Sequence, residues 1–549
     1  MPKLSRSDLT LAALGLVGVL AVLGLYKSAF PLAIVEMEIS RDEAVEFATW
    51  RVNSVGGDVS GFRQATLFTG ETESLIFLQK NLSADHAARW AGGDAAIWSW
   101  SVRWFKPLDT EEWLVDVAVD GAIVAFRHVV EETAAGANLD QETARQMAIE
   151  YIGQGGGLGP LEEVSAVTDA KANRTDHLFI WRDTTETIPW SGAGEGEARV
   201  SVRIVGDEIG GYARWLHVPE DFSRELQNTL SVGTLLAVGS IVITVLLTLA
   251  AAVIAIARYK TGDIDWRTAI VCGVLVGSMF AISIATNWPQ AQFGYQTQIS
   301  WTVFIGSALL GLVLLSVFYV VFVTFPTAAG ASMTRQYFPD AIEGFSELFA
   351  GKVFTPQFGA AALRGYALAA LFLGYLTAFY WFSQRFMGAW MPAEGPYSSI
   401  FNNVFPFLTP LTISLVAAIS EETIYRLFGV SLFKKLTGST WMALLIPAAI
   451  WAFGHSNYPV FPVYIRGIEL TIGGIIFGIA FLRYGLVTCI VAHYVVDAVA
   501  LGMPLVGSNN ATYIVSGLIA IGLALVPGVI GLVGGRRGRA AAAPRQVPA

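Results

Sequence analysis

LSVGTLLAVGSIVITVLLTLAAAVIAI, residues 230–256, runs for 27 residues without a charged side chain. At about 1.5 Å rise per residue, a helix of that length exceeds the ~30 Å hydrocarbon core of a bilayer, so the run reads as a membrane span. Nine further apolar runs of near-crossing length stand at about 9–25, 268–287, 301–325, 365–382, 404–430, 440–456, 468–482, 485–501 and 511–534. Composition agrees with them. Only 14% of residues are charged and the mean hydropathy is +0.53, which excludes a disordered chain, a collagen-like fibre and an ordinary cytosolic enzyme. The fold class expected is a polytopic α-helical membrane protein of about ten transmembrane helices.

Charge is distributed unevenly along the 549 residues. Residues 36–228 carry 33 Asp+Glu against 16 Lys+Arg, net −17, whereas the rest of the chain carries 11 acidic and 19 basic residues, net +8. An acidic, soluble-type domain is therefore inserted into a sparsely charged membrane protein. No basic patch of useful size lies in the soluble part, which argues against a nucleic-acid partner. The two cysteines, Cys272 and Cys489, both lie in apolar runs, so neither a disulfide framework nor a cysteine-based zinc site is expected.

The basic residues orient the spans. Arg258, Lys260 and Arg267, then Arg335 and Lys352, then Lys434 and Lys435, then Arg483 fall in alternate loops, and Arg536, Arg537, Arg539 and Arg545 in the tail. The intervening membrane loops hold only Arg385 and Arg466. With Lys3 and Arg6 before the first span, both termini are expected inside the cell membrane and residues 36–228 outside it, in an extracytoplasmic position. Leu9–Leu25 has the charge and apolar pattern of a cleaved signal peptide as well as of an anchor; the lack of a clear small-x-small site favours the anchor. Residues 336–358 read as a short interfacial helix and the Ala/Pro tail after Gly538 as disorder.

The acidic domain reads as α+β with an internal repeat. Ser40-Arg-Asp-Glu43 is a capping box opening a helix to about Val52, and Asp140-Gln-Glu142 opens a similar one. Each unit then shows a hairpin. Trp113–Val119 alternates, turns at Asp120-Gly121 and returns as Ala122–Val130; Ala198–Val205 turns near Gly206-Asp207 and returns through Tyr212–Val218. A helix followed by antiparallel strands, twice, resembles the PepSY-type module of bacterial envelope proteins, which implies a role in binding a peptide or an envelope partner; a spacer is the plain alternative. His86, His128, His177 and His217 show no metal-ligand spacing and read as surface or strand residues.

The membrane half contains two histidines, His455 and His493, with Glu421, Glu422 and Asp497 in spans near them. An ionisable group at mid-bilayer costs roughly 2.5–3.5 kcal/mol on insertion scales and persists when it pairs or works. Glu422 and Arg426 are i and i+4 and can pair, which leaves Glu421, about 100° round the helix, free. A free carboxylate out of water is a candidate general base. His493 and Asp497 share one helix face, as do Trp451 and His455. Glu421 lies seventeen residues before Gly438 and His455 seventeen after it, so an antiparallel hairpin brings them to one level. Taken singly, the Glu-Glu-Arg run could be an ion-pair staple and His455 a helix-linking histidine; the convergence at one depth is what points to a site. The aromatic run Phe372–Phe386 reads as lipid-facing and interfacial, and Arg466 with Glu469 as a structural pair or an interfacial anchor.

These residues resemble the three motifs of the CAAX-protease and bacteriocin-processing (CPBP, or Abi) intramembrane proteases: Glu-Glu-x-x-x-Arg at 421–426, aromatic-x-x-x-His at 451–455 and His-x-x-x-Asp at 493–497. The run Gly474–His493 resembles that family's approach to its last motif, and the likeness covers roughly residues 360–535. It implies an intramembrane endopeptidase in which Glu421 and His455 activate water, His493 and Asp497 stabilise the oxyanion, and Glu422 and Arg426 support the helix. Trp451 stands where Phe is usual, a change expected to matter little. Asp497 stands where Asn is common, and an ionised Asp cannot donate to an oxyanion. No cofactor is expected; the alternative is one divalent metal, zinc by preference, on Glu421, His455 and His493, although two histidines one turn apart are absent.

The expected organisation is a membrane anchor at 1–35, the acidic α+β domain at 36–228, additional spans and an interfacial helix at 229–359, a CPBP-like core at 360–535 and a disordered tail at 536–549. The expected partners are membrane lipid, a peptide or membrane-protein substrate with a hydrophobic or prenyl-like C-terminal or leader segment, and an envelope partner at the acidic domain. A secondary transporter would also explain intramembrane acids, but residues 230–385 hold no matching second set. A non-catalytic scaffold or immunity-type protein would not need all four polar groups.

Overall fold

The computed structural model of the protein describes residues 5–30, 37–92, 97–155, 159–391 and 400–542. Lys3 and Arg545, two of the charges that orient the spans, lie outside the described residues. Helix α1 (Arg6–Ala29) opens at Ser5, whose hydroxyl accepts from the Asp8 N–H while the Asp8 carboxylate accepts from the Ser5 N–H.

The inserted domain begins with α2 (Arg41–Ser54), which uses the expected capping box of Ser40 and Glu43. Then come β1 (Arg63–Gly70), α3 (Thr72–Asn81), α4 (Ala84–Gly92), β2 (Trp98–Phe105), β3 (Glu112–Ala118) and β4 (Ile123–Val129). The second unit is α5 (Gln141–Gly155), β5 (Leu161–Ala170), β6 (Thr175–Ile188), β7 (Gly196–Val205) and β8 (Glu208–His217). All eight strands form one sheet, β1-β2-β3-β4-β8-β7-β6-β5. Each unit is thus a helix followed by four antiparallel strands, with α3 and α4 inserted between β1 and β2 of the first, and the units join where β4 and β8 pair antiparallel through Ala125↔Ala213 and Phe126↔Tyr212. Both expected hairpins are present, with Gly121 and Gly206 at positive φ in their turns (92° and 63°). Strands β1, β2, β5 and β6 are additional. β5 is an edge strand exposed on both faces along most of its length, so it lacks the alternation from which a half-buried strand is read.

The sheet domain is docked on the membrane helices rather than tethered to them. Arg103 is held by both oxygens of Glu112 (2.8 and 2.6 Å) and donates to the carbonyls of Phe293 and Tyr295 (2.7 and 2.6 Å). Arg41 donates to the carbonyls of Phe401 and Asn402 (3.2 and 2.6 Å), and the Asn402 amide donates to the Phe68 carbonyl (2.9 Å). Phe401, Phe461, Leu505 and Tyr513 complete a hydrophobic core that starts with Phe68, Trp98 and Trp100 in the sheet domain.

The membrane part runs α6 (Glu220–Ala257), α7 (Trp266–Thr286), the short α8 (Trp288–Phe293), α9 (Trp301–Tyr337), the five-residue α10 (Phe345–Phe349), α11 (Pro356–Phe386), α12 (Leu408–Glu421), α13 (Ser431–Thr437), α14 (Thr440–Phe453), α15 (Tyr464–Tyr484), α16 (Leu486–Gly507), α17 (Ala511–Ala524) and α18 (Val526–Ala542). Among the described residues, eight helices are long and apolar enough to cross a membrane. Two of the ten expected spans fall short of that measure. The run 404–430 becomes α12, which passes into a π-helical segment at Glu422–Val430 before α13; the run 440–456 becomes α14, of 14 residues. Residues 336–358 hold a 3-10 turn at Pro339–Ile342 and α10 in place of a single interfacial helix. The expected disordered tail at 536–549 is helical to Ala542, and residues 543–549 lie outside the described residues.

Helix α1 is packed into this bundle along α11. A Cβ on Gly18 would stand 2.2 Å from the Ala370 carbonyl oxygen, and one on Gly374 would stand 2.2 Å from Gly18 Cα, so the two backbones touch where only glycine fits. Asp8 pairs with Arg364 at 2.8 Å. These contacts join α1 to α11 along its length. The aromatic run on α11 is split, contrary to a uniformly lipid-facing reading. Phe382 and Phe386 are exposed, but Phe372 and Tyr380 are buried, and Tyr380 donates to the Glu469 carboxylate at 3.1 Å. The buried acid on α15 turns one face of α11 inward.

Candidate active site

The polar residues gather on α12 and its π-helical continuation, at the end of α14, and on α16. At the end of α12 the Ser420 hydroxyl donates to the Val416 carbonyl (2.6 Å), and the Thr423 hydroxyl donates to the carbonyls of Ile419 and Ser420 (2.8 and 3.0 Å). From Glu422 the helix widens to i→i+5 bonding. Gly429 gives the widened turn room, since a Cβ there would meet Pro447 Cβ of α14 at 2.9 Å.

Glu422 points into the bundle. Its carboxylate is 0% exposed; Oε1 hydrogen-bonds His493 Nδ1 of α16 at 2.8 Å and stands 3.2 Å from Arg426 Nη1. Arg426 is 2% exposed, and its guanidinium lies 4.4 Å above the Trp451 ring and 5.4 Å from that of Phe477. The neighbouring Glu421 and Asp497 are open, at 24% and 29% exposed. Both approach the other nitrogen of the same imidazole: His493 Nε2 is 3.7 Å from Glu421 and 3.5 Å from Asp497. Glu421 also accepts the indole N–H of Trp451. His455 Nδ1 lies 2.9 Å from the Trp451 carbonyl; that contact assigns the proton to Nδ1 and leaves the Nε2 lone pair available.

Three of the four expected catalytic residues, Glu421, His493 and Asp497, therefore meet directly, and the fourth, His455, is joined to them through Trp451. The i, i+4 pairs Glu422–Arg426 and His493–Asp497 are both present. Two expectations change. Glu422 holds His493 as well as Arg426, a partner on another helix that spacing along its own helix does not reveal. Trp451, expected to be a minor replacement for phenylalanine, supplies a hydrogen bond to Glu421 that a phenylalanine ring lacks. Arg466 and Glu469 pair at 2.6 Å as expected. In the sheet domain His128 stacks on Trp113 at 3.8 Å and His177 is buried in β6 between Thr168 and the Leu139 carbonyl, so both serve packing.

The donor set does not fit a metal ion as placed. His493 Nδ1 is taken by Glu422, which leaves Nε2 as that ring's one candidate ligand atom, and His455 is linked to the cluster by way of Trp451. Among the described residues no group of three or more His, Cys, Asp or Glu side chains is arranged to hold one.

Residues 403–499 match the sequence model of the family described as Type II CAAX prenyl endopeptidase Rce1-like. That segment contains Glu421, Glu422, Arg426, His455, His493 and Asp497. Over 107 residues the chain is 30% identical to the sporulation-killing factor biosynthesis protein SkfC of Bacillus subtilis (strain 168). The alignment takes in 20% of this chain and 22% of that protein, so the chain spans about a fifth of the length of the curated relative it matches. No solved structure matches the chain.

Proposed function

We propose that the protein is an intramembrane endopeptidase that hydrolyses a peptide bond with water activated by Glu421. The observation that carries this reading is the division of the polar cluster into a closed half and an open half. Glu422 and Arg426 are sealed, whereas Glu421 and Asp497 are accessible around one face of His493. The similarity of residues 403–499 to CAAX prenyl endopeptidases supports the same class of reaction.

In the proposed reaction the scissile carbonyl enters the open half. Glu421 takes a proton from water as the water oxygen bonds to the carbonyl carbon, with His455 Nε2 as a second acceptor beside it. The carbonyl π electrons move to oxygen. His493 donates Nδ1–H to Glu422, so the ring offers an Nε2–H to that developing charge as the imidazolium; one such donor is worth about 10²–10³ in rate. The C–N bond then breaks and the proton on Glu421 passes to the departing amine. Asp497, 3.5 Å from His493 Nε2, orients the ring rather than donating to the oxyanion itself, which is a role an aspartate can fill. No step is routed through a metal. If that holds, prolonged chelator treatment should leave turnover unchanged and elemental analysis should find far less than one metal per chain; stoichiometric zinc with chelator-reversible loss would assign the chemistry to a metal instead.

The substrates proposed are membrane-associated proteins or peptides with hydrophobic or prenyl-like termini, because the open half lies among membrane helices. Detergent-purified protein incubated with a peptide library and read by mass spectrometry tests the reading, with Glu421→Ala as the inactive reference. Cleavage by both proteins alike, or by neither, would reject it.

We also propose a cell-membrane location with both termini cytoplasmic and the sheet domain outside, from the alternation of basic loops. Cys272 and Cys489 are buried, so single cysteines at Ser54 and Thr437 should be labelled cleanly from opposite sides. Labelling of both from one side would overturn the orientation. Docked as it is at Phe401 and Phe461, the sheet domain is suited to govern access for a peptide or envelope partner more than to act as a loose spacer.

A further inference from the structure

Trp451 is the point at which the site's separate helices are joined. It lies on α14 and is 5% exposed. Its indole N–H donates to the Glu421 carboxylate at the end of α12. Its backbone carbonyl accepts from His455 Nδ1, its ring underlies the Arg426 guanidinium at 4.4 Å, and its edge faces the His493 ring at 6.1 Å. Close packing fixes the indole itself. A Cβ on Gly474 of α15 would come within 3.3 Å of Trp451 Cε3 and 2.7 Å of Ala448 Cβ, so α15 presses on the ring where it has no side chain to spare.

Glu421 needs such a restraint. It is the accessible acid of the Glu421–Glu422 pair, and a glutamate with three free torsions samples many rotamers unless something holds it. The buried ion pair beside it does not, because Arg426 contacts Glu422. A single N–H bond to one carboxylate oxygen, Oε2, fixes the direction of the other, Oε1.

We propose that Trp451 is the positioning residue of this site: its indole N–H sets the orientation of the Glu421 carboxylate, while its carbonyl sets the tautomer of His455, so that base and histidine are aligned by one residue. This rests on the peptidase reading for its consequence in rate, but the contact itself can be tested without activity.

Trp451→Phe keeps the ring beneath Arg426 and the carbonyl for His455, and removes only the N–H. For a base held slightly out of line, turnover should fall about 10- to 100-fold, with KM changed less than about twofold and thermal midpoint lowered by only a few degrees. A merely structural tryptophan would show the reverse, a large loss of midpoint with kcat per folded molecule unchanged, and that result would overturn the proposal. Two readouts stand apart from turnover. In a thermal cycle of Trp451→Phe, Glu421→Ala and the double variant, the shifts should be non-additive; additive shifts would overturn the contact. In the indole ¹⁵N–H spectrum of the full chain in detergent, with 16 tryptophans, Glu421→Ala should move the Trp451 signal strongly, and an unmoved signal would equally overturn it. If the wild type cleaves no peptide while the cycle is non-additive and the signal moves, the peptidase reading fails and the contact stands.

Discussion

Glu421→Gln is expected to abolish peptide hydrolysis, with a loss of about 10²–10⁴-fold or more, and to leave the protein folded, inserted and nearly as stable as the wild type. Both halves of this expectation follow from where the side chain sits. Glutamine has the same shape, and its carbonyl oxygen still accepts the Trp451 indole N–H, so the position is kept. The amide cannot take a proton from water at any useful rate, so the base is lost. Stability is spared because Glu421 is 24% exposed and 3.7 Å from His493 Nε2; a partly open charge at that distance contributes little to the fold. Single-turnover cleavage of one peptide, compared at equal folded protein, measures the first half, and the thermal midpoint in detergent measures the second. A fully active Glu421→Gln protein would remove the proposed base and with it the division of labour between the two adjacent glutamates.

The class of fold was legible because it depends on sums. Twenty-seven uncharged residues at 230–256 read as a span whatever their packing, and the eight helices long and apolar enough to cross each coincide with an expected run. The two runs that fell short of that measure, 404–430 and 440–456, carry Glu421, Glu422, Arg426, Trp451 and His455, whereas His493 and Asp497 stand on the full-length α16. In the first of them the helix is π-helical from Glu422. A period of 3.6 residues places Glu422 beside Arg426 but says nothing of α16, so its bond to His493 was not readable. Nor was Trp451 as a donor to Glu421, since a ring expected to pack carries no mark in the sequence of the acid its N–H will meet. In the sheet domain the two hairpins were legible from their glycine turns, whereas the edge strand β5, exposed on both faces, offered no alternation to read.

Glu422→Gln separates the sealed half of the cluster from the open half. Glu422 is 0% exposed and serves two groups at once, His493 Nδ1 at 2.8 Å and Arg426 at 3.2 Å. The amide removes the charge that offsets an arginine 2% exposed to solvent, and breaking a buried pair from one side costs about 3–5 kcal/mol. Thermal midpoint and yield should therefore fall markedly, in contrast to Glu421→Gln. Activity should fall too, because an amide that can either donate or accept no longer fixes the His493 ring. The double variant Glu422→Gln with Arg426→Met tells the two effects apart. Removing the second charge leaves an apolar side chain between Trp451 and Phe477, so stability should return toward that of the wild type, since a buried pair and a well-packed apolar replacement are often close in energy. Turnover should not return, because His493 still lacks its carboxylate. Recovery of both together would mean that Glu422 acts on the reaction only through the fold, and an unchanged midpoint in Glu422→Gln alone would mean that Arg426 does not depend on that charge.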